Sequence, residues 1–429
     1  MRRSLALALL LGLWAATPAP VSAQDTTRAV LRLLYDNPKT RPGLVVLPAP
    51  GLDSVRAIVE RDLDFSDRFE LIPIPATMAP RGPGGINFGP YRAMNAVLAV
   101  EVVRGPLGVT ARLYDVETGA VRNEGGFAVD LAGTGEGRLG IHRMADEVVQ
   151  WATGKPGIAA SRILYVSDNR VWRVDSDGYR PTPLTPAGRT AYSPTWSPDG
   201  RRFAFTEYQE GKWMVVLQTL ASGTRLVFPT TATTVNITPA FSPDGRRMAF
   251  SRVVDRTYAI HQANVADLCC VQRLTAGRFA ENLSPTYSPD GRRIAFVTNR
   301  AGAPQIYGMS SDGTDQELLV PYEYGVSGAS FAPDWAPDGS GIAFHREAGG
   351  SFQVMIYDLA SDRVRQLSSE GRNEDPSWGP DSRHVVFVSN RTGRGQLHII
   401  DLETARVRQL RTPGTALLPA WSRRLGGTQ

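Results

Sequence analysis

The chain has 429 residues, 42% of them hydrophobic, enough to bury a large core and to divide into two or more domains. Its formal net charge is +5, with arginines and carboxylates interspersed and no basic run, which gives no support to nucleic-acid binding. The only two cysteines, Cys269 and Cys270, are too few and too close together for a structural metal site.

Residues 1–23 have the layout of a secretory signal peptide. Arg2 and Arg3 form a basic start, Leu5 to Ala16 an apolar run, and Val21-Ser22-Ala23 a small-residue cleavage site before Gln24. The apolar run is too short to span a bilayer comfortably, and no later segment comes close. The pattern predicts an exported chain with no membrane span, and without a cysteine at the cleavage point no lipid anchor is expected there.

Residues 24–155 carry no internal repeat and read as a mixed α/β domain. GLVVLPA (43–49) predicts a buried strand. DSVRAIVERDLDFSDRF (53–69) predicts a helix capped by Asp53 or Ser54, with Val55, Ile58, Val59 and Leu63 on one face. ELIPI is a further strand, and RGPGGINFGP (81–90) reads as a flexible loop. AVLAVEVVRG and GVTARLYDV predict a hairpin, followed by the strand GFAVDLA. RLGIHRMADEVVQWATG predicts a second helix, with Ile141, Met144, Val148 and Trp151 inward and Gly154 as its stop. Gly135 to Gly140 match G-x-G-x-x-G. Glu136 would sit against a pyrophosphate, and no suitably placed acidic strand end follows, so these residues read as a mobile connecting loop and no cofactor is expected.

From Trp196 onward one phrase recurs: WSPDGRRFAF (196), FSPDGRRMAF (241), YSPDGRRIAF (287), WAPDGSGIAF (335), WGPDSRHVVF (378), and a sixth start, WSRRLGG (421). The spacings are 45, 46, 48, 43 and 43 residues, the period of a β-propeller with one four-stranded sheet per unit. SPDG is a tight reversal: Pro presets φ, Asp bonds back to the backbone, and Gly takes φ > 0. The leading aromatic is large enough to fill the seam between neighbouring blades. After PAWS (419–422) no further strands follow, whereas ILYVS (163–167), VWRVD (171–175) and PTPLT (181–185) stand alone before the first repeat. The expectation is six blades over residues 160–425, one of them built from both ends of the repeat region. Cys269 and Cys270 read as unpaired, strand-packed thiols, since neighbouring side chains on a strand point to opposite faces.

No catalytic or metal constellation stands out. The five histidines are scattered with no H-E-x-x-H pairing. Gly325-Val326-Ser327-Gly328-Ala329 fails G-x-S-x-G at its last place. Glu374-Asp375 reads as a solvated or partner-facing loop.

Three stretches together resemble the TolB family, periplasmic propeller proteins of the Tol–Pal envelope system: RPGLVVLPA (41–49), IVERDLDFSDRFELI (58–72) and ADEVVQWATGKPGIAASRILYVS (145–167). The likeness is loosest at RAVLRLLYDNPKT (28–40). The resemblance implies an α/β N-terminal domain followed by a six-bladed propeller in a periplasmic, monomeric, non-enzymatic protein. It implies docking of the lipoprotein Pal on loops entering the inner strands: Tyr192, Asn236-Ile237-Thr238, Asn282-Leu283-Ser284, Phe331, Asn373-Glu374 and Leu418. It also implies that the mature N-terminus, here Gln24, Asp25, Thr26, Thr27, Arg28, Val30 and Leu31, engages TolA and other Tol proteins, helping to maintain outer-membrane integrity and constriction at division. Two other readings stay open: a propeller hydrolase or lyase with a channel active site, and a peptidoglycan- or glycan-binding module using exposed aromatics.

Overall fold

The computed structural model describes residues 41–75, 78, 81–82, 85–130, 135–228, 234–254, 256–276, 280–323 and 328–426. The predicted signal peptide and the segment Gln24–Leu31 lie outside these residues.

The α/β part is built on a five-stranded sheet. Its strands are β1 (Gly43–Val46), β2 (Glu70–Leu71), β5 (Leu98–Gly105), β6 (Gly108–Asp115) and β7 (Val121–Ala128), in the order β2-β1-β5-β6-β7. β1 pairs parallel with β2 and β5, while β5, β6 and β7 form an antiparallel meander. Helix α1 (Asp53–Phe65) buries Val55, Val59 and Leu63, and leaves Ile58 half-buried. Leu52 caps it without a side-chain bond, in place of the expected Asp53 or Ser54. The helix stops at Phe65, earlier than the apolar pattern suggests, because Asp67 two residues on takes φ 54°.

The stretch read as a loop at 81–90 is more ordered than expected. It holds a two-stranded ribbon, β3 (Arg81–Gly82) with β4 (Gly85–Ile86), and a short helix α2 (Gly89–Ala93) with Pro90 in its first turn. The G-x-G-x-x-G stretch is likewise helical, not a connecting loop: helix α3 runs Gly135–Thr153. Its glycines serve close packing, since a Cβ on Gly137 would strike the carbonyl of Asp130 and one on Gly140 that of Ala128. Gly154 ends α3 at φ 72°, its N–H bonded to the Gln150 carbonyl at 2.8 Å.

Six four-stranded antiparallel sheets make the ring. The inner strands of blades 1 to 5 are Thr190–Trp196, Asn236–Phe241, Asn282–Tyr287, Ser330–Trp335 and Asn373–Trp378. The sixth blade takes its inner strand, Leu417–Trp421, from the C-terminal end and its other three, Arg162–Ser167, Arg170–Asp175 and Thr182–Pro183, from before blade 1. Trp421 pairs with Ile163 and Leu417 with Val166.

The SPDG turns close as expected: Gly200, Gly245 and Gly291 have positive φ and donate to Ser197, Ser242 and Ser288 at 2.9 Å. The leading aromatics fill the seams. Phe241, for example, packs with Ala204, Val215 and Leu217 of blade 1 and with Met248 and Phe250 of its own blade. Cys269 and Cys270 are joined as a vicinal disulfide, contrary to the expectation of free thiols. They sit in a turn with Leu268 and Cys270 at φ 55° and 59°, so the alternation of a strand does not hold their side chains apart.

Candidate partner-binding face around the propeller channel

Every inner strand carries the same irregularity near its start. Its register with the next strand slips between Tyr192 and Thr195, Ile237 and Ala240, Leu283 and Thr286, Phe331 and Asp334, Glu374 and Ser377, and Leu417 and Ala420. Within each slip one non-glycine residue has positive φ: Ser193 (46°), Thr238 (51°), Ser284 (52°), Ala332 (49°), Asp375 (52°) and Leu418 (50°). Each is followed directly by proline, a position where sterics favour extended backbone. Six bulges thus place six strained residues in a ring. They line a central cavity of about 170 Å³ together with the prolines and the small residues that follow them.

Hydrogen bonds both between and within blades hold this geometry. The N–H of Thr238 donates to Thr206 Oγ1 at 3.0 Å, and its own hydroxyl meets Ser251 Oγ at 2.7 Å. The N–H of Asp375 donates to His345 Nδ1 at 3.0 Å, which makes that nitrogen an acceptor. Burial agrees, pushing the His345 imidazole down to about 4.

The eleven residues expected to face a partner divide into two sets. Asn236, Asn282 and Asn373 open their strands but are at most 1% exposed. Asn282 donates to the carbonyls of Tyr258 and Ala280 at 3.1 and 3.0 Å, and Asn373 to Gln353 Oε1 at 2.8 Å and Glu370 O at 2.9 Å. These two amides shape the loops from beneath, whereas the Asn236 amide is buried without a hydrogen-bond partner among the described residues. Tyr192, Ile237, Thr238, Leu283, Ser284, Phe331, Glu374 and Leu418 are half-buried at the rim. Tyr192 belongs to an aromatic group with Trp213 and Tyr208, its hydroxyl 3.0 Å from Asn169 Oδ1. Phe331 packs against His345 and Phe352, over which the Arg372 guanidinium lies 4.8 Å away. Glu374 is bound by both guanidinium arms of Arg372, at 2.5 and 2.8 Å. Beside Arg372 a polar groove of about 620 Å³ separates blades 4 and 5, floored by Gln353 and walled by Gly349, Gly371 and Asn390.

Two acids line the inside of the ring: Asp375, read from sequence with Glu374 as a solvated or partner-facing loop, and Asp334, which sequence reasoning missed. Burial pushes the Asp375 carboxyl up to about 7, reinforced by the neighbouring charge of Glu374. Burial likewise pushes Asp334 up to about 6, although it accepts the N–H of Trp378 at 2.7 Å. The repeat masks them, because each occupies a position where the other blades carry Ser, Thr or Ala, or Leu418 in the sixth blade at the place of Asp375.

Elsewhere, His142 and His384 each sit among carboxylates where the α/β part meets the ring. Of those carboxylates Asp177, Asp401 and Asp67 are engaged by guanidiniums, an arrangement suited to an ion-pair network more than to a metal cation, while Asp62 pairs with His142 instead. Ser327 of the imperfect G-x-S-x-G lies outside the described residues.

Comparison with known proteins agrees with this architecture. The family model described as the TolB beta propeller domain matches residues 149–425. A "Tol-Pal system protein TolB" of Xylella fastidiosa (strain M12) is 28% identical over 240 residues, 51% of this chain and 53% of the relative. One from Methylococcus capsulatus is 32% identical over 186 residues, 40% of this chain and 43% of the relative. The chain thus spans about half the length of the curated relatives it matches. The crystal structure of TolB from Acinetobacter baumannii superposes with a TM-score of 0.77 at 25% identity, covering 90% of this chain and 98% of that one. With a family model extending over well more than half its length, the chain belongs to the TolB β-propeller family.

Proposed function

We propose that this chain is a non-enzymatic binding component of the Tol–Pal system in the periplasm, serving outer-membrane integrity and constriction at division. In this reading residues 1–23 are a removed signal peptide, 24–155 an α/β domain and 160–425 the propeller, and the protein acts as a monomer. Pal docks on the rim formed by Tyr192, Thr238, Leu283, Phe331, Glu374 and Leu418, with Asn282 and Asn373 bracing it and Asn236 buried beneath it. Gln24 to Leu31 engage TolA.

The observation that carries this reading is the ring of six positive-φ residues, each ahead of a proline. Strain repeated at one rim is a pre-ordered surface, and a surface ordered in advance loses little entropy on binding. Titration calorimetry with the cognate Pal tests it. The wild type should bind, and Glu374→Lys, which sets a cation against Arg372, should weaken binding at least about tenfold. No heat with the wild type would refute the reading. For the N-terminus, a variant lacking residues 24–35 should fail to retain TolA in a pull-down.

One observation favours a second reading, a channel hydrolase or lyase: Asp334 and Asp375 both line the cavity with raised proton affinity. Both carboxylates, however, accept backbone N–H groups, from Trp378 and from Leu418, a positioning role that needs no reaction. Turnover abolished by Asp375→Asn would favour the enzyme.

A further inference from the structure

The two histidine clusters at the seam between the α/β part and the ring are unexplained by partner binding at the rim. His384 of blade 5 is fully buried, and both its ring nitrogens face only carboxylates. Nδ1 lies 2.8 Å from Asp381 Oδ2, while Nε2 lies 3.2 Å from Asp67 Oδ2 and 3.3 Å from Asp401 Oδ2. Asp67 belongs to the α/β part and also receives Arg406 at 3.1 Å and Arg408 at 3.5 Å, so it is held ionised. An ionised carboxylate only accepts, and an imidazole that donates from both nitrogens is the cation.

The surroundings agree in charge. Arg383 bonds Asp401 and reaches Glu403 at 2.6 Å. Arg68 lies 3.9 Å from Asp381 and 3.8 Å from Glu403, and Arg406 lies 2.8 Å from Asp64. With His384 protonated, Arg68, Arg383, His384, Arg406 and Arg408 balance Asp64, Asp67, Asp381, Asp401 and Glu403. With it neutral, a buried negative charge is left over, which is costly.

The second cluster repeats the arrangement from the other side. His142 of α3 is 1% exposed, its Nδ1 2.6 Å from Asp62 Oδ2 of α1. Its Nε2, with no hydrogen-bond partner of its own, points at Asp177 Oδ2 of the sixth blade, 3.9 Å away. Arg61 and Arg138 bind the same Asp177, and burial raises the proton affinity of Asp62 itself, against the pull of His142.

We infer that these are two proton-held clasps: an imidazolium at His384 and another at His142 each tie a carboxylate of the α/β part to one of the ring, so that docking tightens with the proton bound and slackens when it leaves. Burial alone would lower both histidines, but the charge and hydrogen bond of Asp381 and of Asp62 raise them above the ordinary value. A raised cation contributes fully below the ordinary histidine range and is lost as pH rises through its elevated value. The clasps therefore loosen on the alkaline side. At the acid end, Asp67 and Asp177 are held below the usual carboxylate range, against the effect of burial, chiefly by His384 and His142, and their contribution fades only at low pH.

The other three histidines serve as internal controls, since burial pushes His261, His345 and His398 down. In 15N spectra of the full chain at pH 7, His142 and His384 should show imidazolium shifts and the other three neutral rings. Hydrogen exchange should show residues 62–68 and 138–146 losing protection as His142 and His384 titrate, on the order of a hundredfold relative to blade 2 after correction for intrinsic exchange. His384→Gln should produce the loss in 62–68 already at pH 7. A neutral ring at either position at pH 7, protection indifferent to pH, or zinc ions alone displacing the imidazolium signals overturns the inference; the wild-type spectra decide even if the variant fails to fold.

Discussion

The indole N–H of Trp421 donates to the hydroxyl of Ser161 at 2.8 Å, joining residues 260 positions apart. Beside this bond, Ser422 Oγ accepts the N–H of Arg162 at 2.9 Å, and Trp196 of blade 1 donates its own indole N–H to Ala420 O at 3.1 Å. The sixth blade is thus fastened both along its strand and to its neighbour.

Removing the anchor should open the ring at this point. Trp421 is 7% exposed and packs among Ile163, Tyr165 and Val386. Trp421→Ala should cost about 3–5 kcal/mol, read as a lowered urea midpoint. A change below about 1 kcal/mol would show that the ring holds without it.

Relieving one strained rim residue should stabilise the chain. Ala332 holds φ 49° ahead of Pro333 and has no side-chain bond to lose. Ala332→Gly should add up to about 1 kcal/mol by thermal unfolding, the relief of strain being partly offset by glycine's entropy in the unfolded state. Ala332→Val should do the opposite, since a branched side chain tolerates that conformation poorly.

The channel acids should tilt stability with pH. Asp334 has its proton affinity raised by burial to about 6, so between about pH 4 and pH 6 the folded chain holds more protons than the unfolded one. Its contribution is greatest at acid pH and falls as pH rises through about 6. Asp334→Asn should therefore look about 1–2 kcal/mol better, relative to wild type, at pH 8 than at pH 5 in denaturant titrations. An unchanged difference between the two pH values contradicts this assignment.

The vicinal disulfide should matter little for global stability, because linking adjacent residues closes almost no loop in the unfolded chain. Replacing both Cys269 and Cys270 by Ser should shift stability by less than about 1 kcal/mol. Alkylation of the denatured, unreduced protein followed by mass spectrometry should find no free thiol.

What the sequence revealed follows from how local the controlling forces are. The turn chemistry of Ser197-Pro198-Asp199-Gly200 and its repeats acts within four residues, so blade count and closure were legible. The rim was only partly legible: its position follows from the repeat, but the burial of Asn236, Asn282 and Asn373 depends on which loops fold over them. Helix α3 was read as starting late because its first glycines look like a loop until Asp130 and Ala128 are seen packed beneath them. The clusters around His142 and His384 were invisible, since Asp67 and His384 are separated by 317 positions and no spacing rule joins them.

Closing the ring with Leu417–Trp421 also imposes an order on biosynthesis. The strand Arg162–Ser167 emerges from the ribosome long before its partner exists, and at roughly 5–20 residues per second it waits about 12–50 seconds. For that time the nascent protein carries an unpaired inner edge, and its vulnerability to mispairing is greatest just before synthesis of the last blade ends.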